Sequence, residues 1–184
     1  MRISDDRYSR DRLRLDLAVR FIEREARTRT IRLWTGLTDD RIRKLYRSYL
    51  CEQSPDRLAR HRGKSPQQVG FFVRTSGLRL EASILASVLM MTGALPSPVA
   101  GAPLRDAARK LPGPTRGDLL CQAYDYYCFL VGDPGISFEH AVLLVIKLAN
   151  ADELALRSCT DCGAVVISDP LTLRHPRCAC CRPA

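Results

Sequence analysis

Histidines, glycine-rich phosphate loops and long apolar runs are scarce or missing in this 184-residue sequence, and each shortage excludes a class of function. The sequence has three histidines, His61, His140 and His175, and none stands in a motif with a carboxylate or a nucleophile. It also has no phosphate-cradling glycine loop. The sequence therefore shows no recognisable catalytic motif, and we expect a protein that is not an enzyme.

The most apolar runs cover residues 84 to 91 and 141 to 146, far below the roughly 20 residues that a membrane-spanning helix needs. No apolar signal segment follows Met1. We therefore expect a cytoplasmic protein without a membrane partner. In that reducing compartment, clustered cysteines bind metal more often than they form disulfides.

The positive charge is concentrated in the first third of the chain. Residues 1 to 64 contain 18 Lys and Arg against 10 Asp and Glu, whereas residues 65 to 184 contain 11 against 10. A basic segment on a nearly neutral body is typical of a protein that binds a polyanion, with nucleic acid the leading candidate. The alternative is that these arginines only solvate the outer faces of helices.

Five of the eight cysteines lie close to the C-terminus, and four of them have the spacing of a metal site. Cys-x-x-Cys, fifteen intervening residues and a second Cys-x-x-Cys place two thiolates on each of two tight turns, which suits a closed tetrahedral Zn²⁺ site. Four thiolates leave no open position for water, so the zinc is expected to be structural. The predicted ligands are Cys159, Cys162, Cys178 and Cys181.

Three alternatives to this ligand set remain open. The cysteines could form disulfides or stay unliganded, and His175 could replace one cysteine in a Cys3His site. Cys180 is one ligand candidate too many, and its position among the zinc thiolates suggests a redox switch in which its oxidation ejects the metal. We prefer Cys178 and Cys181 because only they keep the two-residue gap.

Helical spacing of apolar residues dominates the N-terminal part. Residues 11 to 27 predict a helix with a broad apolar surface, and a short helical pattern with Ile31 and Trp34 stops at Gly36. Thr38 is a good N-cap for a second helix. That helix has one apolar stripe formed by Ile42, Leu45, Tyr46 and Tyr49.

A helix, a glycine, an inward apolar residue and a second helix form the pattern of a helix-turn-helix. The second helix would expose a basic face to the major groove of DNA. Two positions depart from the usual pattern: Arg32, where a small residue is normal, and Thr35, where an aliphatic residue is common. A plain amphipathic helix with a solvated basic face is the alternative. The candidate DNA-binding residues are Arg41, Arg43, Lys44 and Arg47.

The remaining periodicity predicts helices over residues 80 to 91, 104 to 110, 116 to 131 and 138 to 149, with a short β-prone run at 164 to 167. Cys51, Cys121 and Cys128 are read as core or boundary residues. The predicted fold class is all-α, a multi-helix domain with a helix-turn-helix-like N-terminal part and a C-terminal four-cysteine zinc module. The predicted divisions are a basic helical part over residues 1–64, a helical middle over 65–150 and the zinc module over 151–184.

Three stretches of the sequence together resemble the FlhC family. They are the run TGLTDDRIRKLYRSYL, the GKSP linker followed by Phe71 and Phe72, and the terminal SCTDCG with CACC. The FlhC protein is the zinc-containing subunit of the bacterial flagellar master transcription activator, and the match keeps its order over most of the chain.

The resemblance implies an all-helical protein whose four zinc-binding cysteines correspond to Cys159, Cys162, Cys178 and Cys181. It also implies a hetero-oligomer with an FlhD partner that binds promoter DNA upstream of flagellar operons and recruits RNA polymerase. The alternative function is a zinc-thiolate redox switch or a protein-interaction module.

Overall fold

The computed structural model describes residues 2–52, 63–95, 112–150, 153–171 and 175–181, which are mostly helical. This confirms the predicted helical fold class with its C-terminal four-cysteine cluster. The described elements are α1 (Arg2–Glu23), α2 (Thr28–Thr35), α3 (Asp39–Glu52), a 3-10 helix (Val69–Val73), α4 (Ser76–Met91), α5 (Pro114–Val131), α6 (Phe138–Asn150), β1 (Ala155–Ser158) and β2 (Val165–Ser168).

Two compact units divide the described residues. The N-terminal unit contains the described residues up to Ser65 together with Pro112–Cys121. The C-terminal unit contains the described residues from Pro66 to Leu95 and from Gln122 onward. No described helix is both long and apolar enough to cross a membrane. The helix predicted at residues 104 to 110 and the side chain of Cys51 lie outside the described residues.

Helices α1, α2 and α3 pack against one another in the N-terminal unit. Phe21 and Trp34 bring their ring centroids to 6.1 Å, and Tyr46 donates a hydrogen bond of 2.5 Å to the carbonyl oxygen of Ala26. The fully buried large side chains of this core are Phe21, Ile22, Ile31, Trp34 and Ile42.

Helix α1 ends earlier than its apolar pattern predicts. Glu25 adopts a left-handed φ of 57°, and the Ala26 N–H bonds back to the Phe21 carbonyl oxygen at 2.9 Å while the Glu25 N–H bonds to Ile22. These two reversed bonds form a Schellman motif, which satisfies the last carbonyl groups of the helix. Ala26 is still buried, so its place in the apolar pattern reflects packing of the turn and not of the helix.

The start of α5 contributes to the same N-terminal unit. Pro114 opens the helix two residues before the predicted start, at a position where its fixed φ and missing N–H cost nothing. A Cβ on Gly117 would lie 2.6 Å from a methyl carbon of Leu17, so a larger residue would require the Leu17 side chain to move. Arg20 and Asp118 form an ion pair beside it.

In the C-terminal unit, α4 contacts α6, the 3-10 helix and strand β2. Thr75 caps α4 by accepting the Leu78 N–H at 3.1 Å, and Ser137 caps α6 by accepting the His140 N–H at 3.4 Å. The buried residues of α4 include Ala82, Leu85 and Leu89, whereas Leu80 is 39% exposed and Met91, the last residue of the helix, is 85% exposed.

A small antiparallel sheet completes the C-terminal unit. Strand β1 pairs with β2 in the register Ala155 opposite Ser168 through Ser158 opposite Val165. The β-prone run predicted at residues 164 to 167 matches β2, whereas β1 was not predicted. The Ile167 N–H donates to the Ser83 hydroxyl at 3.3 Å, so the sheet is fixed directly to α4.

A partly buried hydrogen-bond network joins α4, α5 and the turn before α6. The Tyr127 hydroxyl donates to the Glu81 carboxylate and accepts the Ile136 N–H, and the same carboxylate accepts the Gly135 N–H at 2.9 Å. Burial and the neighbouring Glu81 raise the pKa of Tyr127 well above its usual value. The neutral hydroxyl is thus the form that the fold stabilises.

Replacing Tyr127 by Phe should lower the free energy of unfolding by about 1 to 3 kcal/mol, because the buried Ile136 N–H loses its acceptor. Urea denaturation monitored by circular dichroism measures the change. Tyr126→Phe is the matched control, since Tyr126 is the neighbour of Tyr127 in sequence and its side chain is 59% exposed. Equal midpoints for the two variants would contradict a structural role for the network.

Candidate metal centre

The first pair of cysteines lies on the tight turn between β1 and β2. Gly163 has φ 74° and donates its N–H to the Cys159 carbonyl oxygen at 2.9 Å, while the Cys159 N–H bonds to the Ala164 carbonyl oxygen at 2.8 Å. A glycine adopts this left-handed φ without the steric cost of a side chain. The turn therefore brings Cys159 and Cys162 to the same end of the sheet.

The second pair lies on a turn closed by a bond from the Cys181 N–H to the Cys178 carbonyl oxygen at 3.2 Å. Two contacts attach this turn to the first. The Thr160 N–H donates to the Pro176 carbonyl oxygen at 3.0 Å, and the Arg177 Nε lies 3.3 Å from an Asp161 carboxylate oxygen. The two cysteine turns are thus held together by protein contacts as well as by their sulfur atoms.

The four sulfur atoms of Cys159, Cys162, Cys178 and Cys181 all lie within 4.8 Å of one another. Those of Cys162 and Cys178 are 3.6 Å apart. A tetrahedral site with metal–sulfur bonds of about 2.3 Å places its sulfurs about 3.8 Å apart. The cluster therefore has the donor set and the dimensions to bind a metal ion.

The electrostatics of the cluster also fit a cation. The backbone N–H of Cys178 donates to the Cys159 sulfur at 3.3 Å, and this bond, helped by the Asp161 N–H, lowers the pKa of Cys159 to about 6. The hydrogen-bonded neighbours Cys178 and Cys162 raise the pKa of Cys181 instead. Four thiolates at this spacing repel one another, so they can ionise together only around a positive charge.

The predicted alternatives lie outside this cluster. His175 and Cys180 are exposed and do not belong to the group of four. All the described cysteines are free, and the 3.6 Å between Cys162 and Cys178 is well beyond the length of about 2.05 Å of a disulfide. Cys159 and Cys178 are buried against Val166, so the protein interior supports two of the four ligand positions.

The four candidate DNA-binding residues all lie on α3, in the N-terminal unit, and all are exposed. Arg43 pairs with Asp40 at 2.9 Å. The stripe predicted for the opposite side is buried at Ile42 and Tyr46 and half-buried at Leu45. The side chain of Tyr49 lies outside the described ones.

The sequence did not predict the ion pair between Asp161 and Arg177, which joins the two cysteine turns. Each is directly next to a cysteine of the cluster, but an acidic and a basic residue sixteen positions apart form no recognisable motif. Only the fold shows that they meet.

Comparisons with known proteins do not place the chain in a family. No protein-family model matches the sequence, and no curated protein matches it either. A function for this chain therefore has to be inferred from the cysteine cluster, the charge on α3 and the sequence pattern.

Replacing Cys162 by Ser should reduce bound metal from about one ion per chain to nearly none, because one of the four thiolate donors is lost. Elemental analysis of the purified chain by mass spectrometry measures the ratio. Cys180→Ser is the matched control, since Cys180 is exposed like Cys162 but does not belong to the cluster. Loss of metal in the Cys180→Ser protein would contradict the ligand set.

Proposed function

We propose that this chain is a DNA-binding subunit of a transcriptional activator of the FlhC kind. It acts in the cytoplasm with an FlhD-type partner, binds promoters of flagellar operons and recruits RNA polymerase. The observation that carries the proposal is the exposed basic face of α3, which follows a tight turn after α2. The sequence resemblance supplies the partner, the polymerase and the regulon.

The turn between α2 and α3 supports this role. Gly36 has φ 68° and donates its N–H to the Arg32 carbonyl oxygen, ending α2, and Leu37 is buried directly after it. The Arg41 N–H then bonds to the Thr38 hydroxyl at 3.4 Å at the start of α3. A helix held in this way, with its apolar side buried, presents its other side to solvent, where a DNA groove can be contacted.

Both departures from the helix-turn-helix pattern are accommodated. Arg32 is exposed and lies 3.6 Å from an Asp39 carboxylate oxygen, so it does not enter the contact between helices. The buried Thr35 hydroxyl donates to the Ile31 carbonyl oxygen at 2.6 Å and accepts the Leu37 N–H at 3.2 Å. Thr35 therefore satisfies its polar atom within the turn and replaces an aliphatic residue without an unpaired hydroxyl.

The charges on α3 are available to phosphates. Within the described residues, Arg41, Lys44 and Arg47 form no ion pair at salt-bridge distance. The Arg43 and Asp40 side chains are 55% and 82% exposed, and such solvated pairs contribute little to stability. A phosphate can replace Asp40 as the partner of Arg43 at small cost, and the release of counterions then favours binding.

We assign the metal as zinc with a structural role. Four cysteine thiolates in a tetrahedral arrangement suit Zn²⁺ and leave no open coordination position for a substrate. Bound zinc supplies metal–thiolate bonds that cross-link the two cysteine turns. The support for this assignment is the compact group of four sulfur atoms, packed against Val166 in a segment that otherwise has little core.

Promoter binding by the chain alone and by its complex with an FlhD-type subunit tests the proposal, with zinc measured in both samples. We expect about one zinc per chain and specific binding that is tighter in the complex. A scrambled sequence of the same length is the control DNA. One zinc per chain without specific binding in either sample would contradict the proposal and favour a protein-interaction or redox role for the cysteine module.

Replacing Lys44 by Ala should weaken promoter binding and reduce the slope of log affinity against log salt by about one, because one phosphate contact is lost. Fluorescence anisotropy over a salt series measures both quantities. Ser48→Ala is the matched control on the same helix, since Ser48 is exposed and uncharged. An unchanged slope for Lys44→Ala would exclude this face of α3 from the DNA contact.

A further inference from the structure

A cavity of about 400 Å³ lies in the C-terminal unit beside the cysteine turns. The 3-10 helix, the first turn of α4, the end of β2 and the approach to the second cysteine pair all contribute to its wall. Its volume falls within the range of small-molecule sites. The polar residues of its wall include Arg79, Ser168, His175 and Arg177.

Two polar atoms of these lining residues are buried without a hydrogen-bond partner among the described residues: the Arg79 Nε and the Ser168 hydroxyl. Arg79 uses one of its other nitrogens to donate to the Val73 carbonyl oxygen at 3.2 Å. Leaving a buried donor unpaired is costly, and the cost is larger for a charged group. Both atoms are closed off from solvent, so an acceptor in the cavity would pair with them only after a small rotation of the side chains, and such pairing would be favoured.

The acidic residues of the wall are already engaged. Glu153 forms an ion pair with Lys147, and an Asp169 carboxylate oxygen accepts the Leu171 N–H at 2.8 Å. Among the described residues, Arg177 is paired with Asp161 through its Nε, which leaves its two terminal nitrogens as further donors. Two of the donor groups in the wall are therefore guanidinium ions, those of Arg79 and Arg177.

Guanidinium groups match the oxygens of phosphate and carboxylate in planar, paired hydrogen bonds. The cavity is larger than an inorganic phosphate ion, and Val69, Val73 and Leu154 supply an apolar part of its wall. A ligand that fits both parts has an oxyanion at one end and a small apolar group at the other. A phosphate monoester of a small organic molecule has this chemistry.

We propose that this cavity binds the phosphate group of a small phosphate monoester, held by Arg79 and Arg177 with Ser168 as a further donor. The bound ligand would connect α4 to the second cysteine turn and so stabilise the C-terminal unit. The same phosphate chemistry is found in the DNA backbone. The free monoester is favoured because the wall also contains the apolar residues Val69, Val73 and Leu154, which a phosphate of the duplex backbone would leave without an apolar partner.

Isothermal titration of the full-length, metal-loaded chain with phenyl phosphate tests the proposal, with phenol and with sodium chloride at equal ionic strength as controls. We expect saturable binding of phenyl phosphate at one site and none of phenol. Arg79→Gln should weaken binding about tenfold or more, and Ser168→Ala by a few fold. The matched control is Arg74→Gln, because Arg74 is an exposed arginine next to α4 that does not line the cavity.

Absence of saturable binding, or equal weakening by Arg74→Gln and Arg79→Gln, would overturn the proposal. Circular dichroism checks that each variant is folded. If Arg79→Gln unfolds, Arg177→Gln and Ser168→Ala decide the question, because Arg177 is half exposed and the Ser168 hydroxyl has no partner to lose among the described residues.

A competition arm separates the two sources of phosphate. A DNA duplex of random sequence should leave phenyl phosphate binding unchanged if the site takes a free monoester. The opposite result would be that the duplex displaces phenyl phosphate from the wild-type chain, and that Arg79→Gln loses both this displacement and the binding of phenyl phosphate. That result would overturn the free-ligand assignment and make the cavity a DNA backbone contact. The proposal does not depend on the role of α3, since the titration contains no promoter.

Discussion

Mutual repulsion of four thiolates is the physical constraint on which the C-terminal end of this protein depends. Their sulfur atoms lie within 4.8 Å of one another, and only a cation allows all four to be ionised at that distance. Hydrogen bonds from the backbone prepare the cluster, as the lowered pKa of Cys159 illustrates. A metal ion would thus provide the cohesion that so small a two-stranded sheet and two turns cannot obtain from apolar burial alone.

Helix α4 connects the sheet that carries the first cysteine turn to the rest of the C-terminal unit. Its buried face carries Ser83, which bonds to strand β2, and Glu81, which accepts from both Tyr127 and the turn before α6. Arg79, one turn earlier than Ser83, lines the cavity beside the cysteine turns. One helix therefore positions the sheet, the proposed phosphate site and the packing of two other helices. Occupancy of the metal site or of the phosphate site should therefore affect the stability of the whole C-terminal unit.

In the N-terminal unit, the proposed DNA contact depends on the division of α3 into a buried side and an exposed side. Ile42 and Tyr46 are buried against α1 and α2, and this fixes the rotation of the helix about its axis. The basic side chains lie on the opposite side of the helix and are therefore exposed to solvent. A DNA-binding role is thus compatible with the stability of the fold, since the charged residues contribute almost nothing to the core.

Much of the fold followed from local chemistry. Helical apolar spacing, the Ser137 cap and the stop at Gly36 are encoded by neighbouring residues, and the structure confirms a helical chain with a cysteine cluster. The four cysteines could be chosen from five because the Cys-x-x-Cys spacing is a local geometric requirement. The role of the α3 cations stays a prediction, since charge alone does not define a ligand.

What the sequence by itself determined were the helices, their caps, the basic face of α3 and the four sulfur donors, because each depends on residues close together in the chain. The tertiary structure alone decided the early end of α1, the strand β1, the ion pair of Asp161 with Arg177 and the cavity next to Arg79 and Ser168. Those features arise where distant segments meet or where packing overrides a continuing local pattern, and no local pattern specifies which segments will meet.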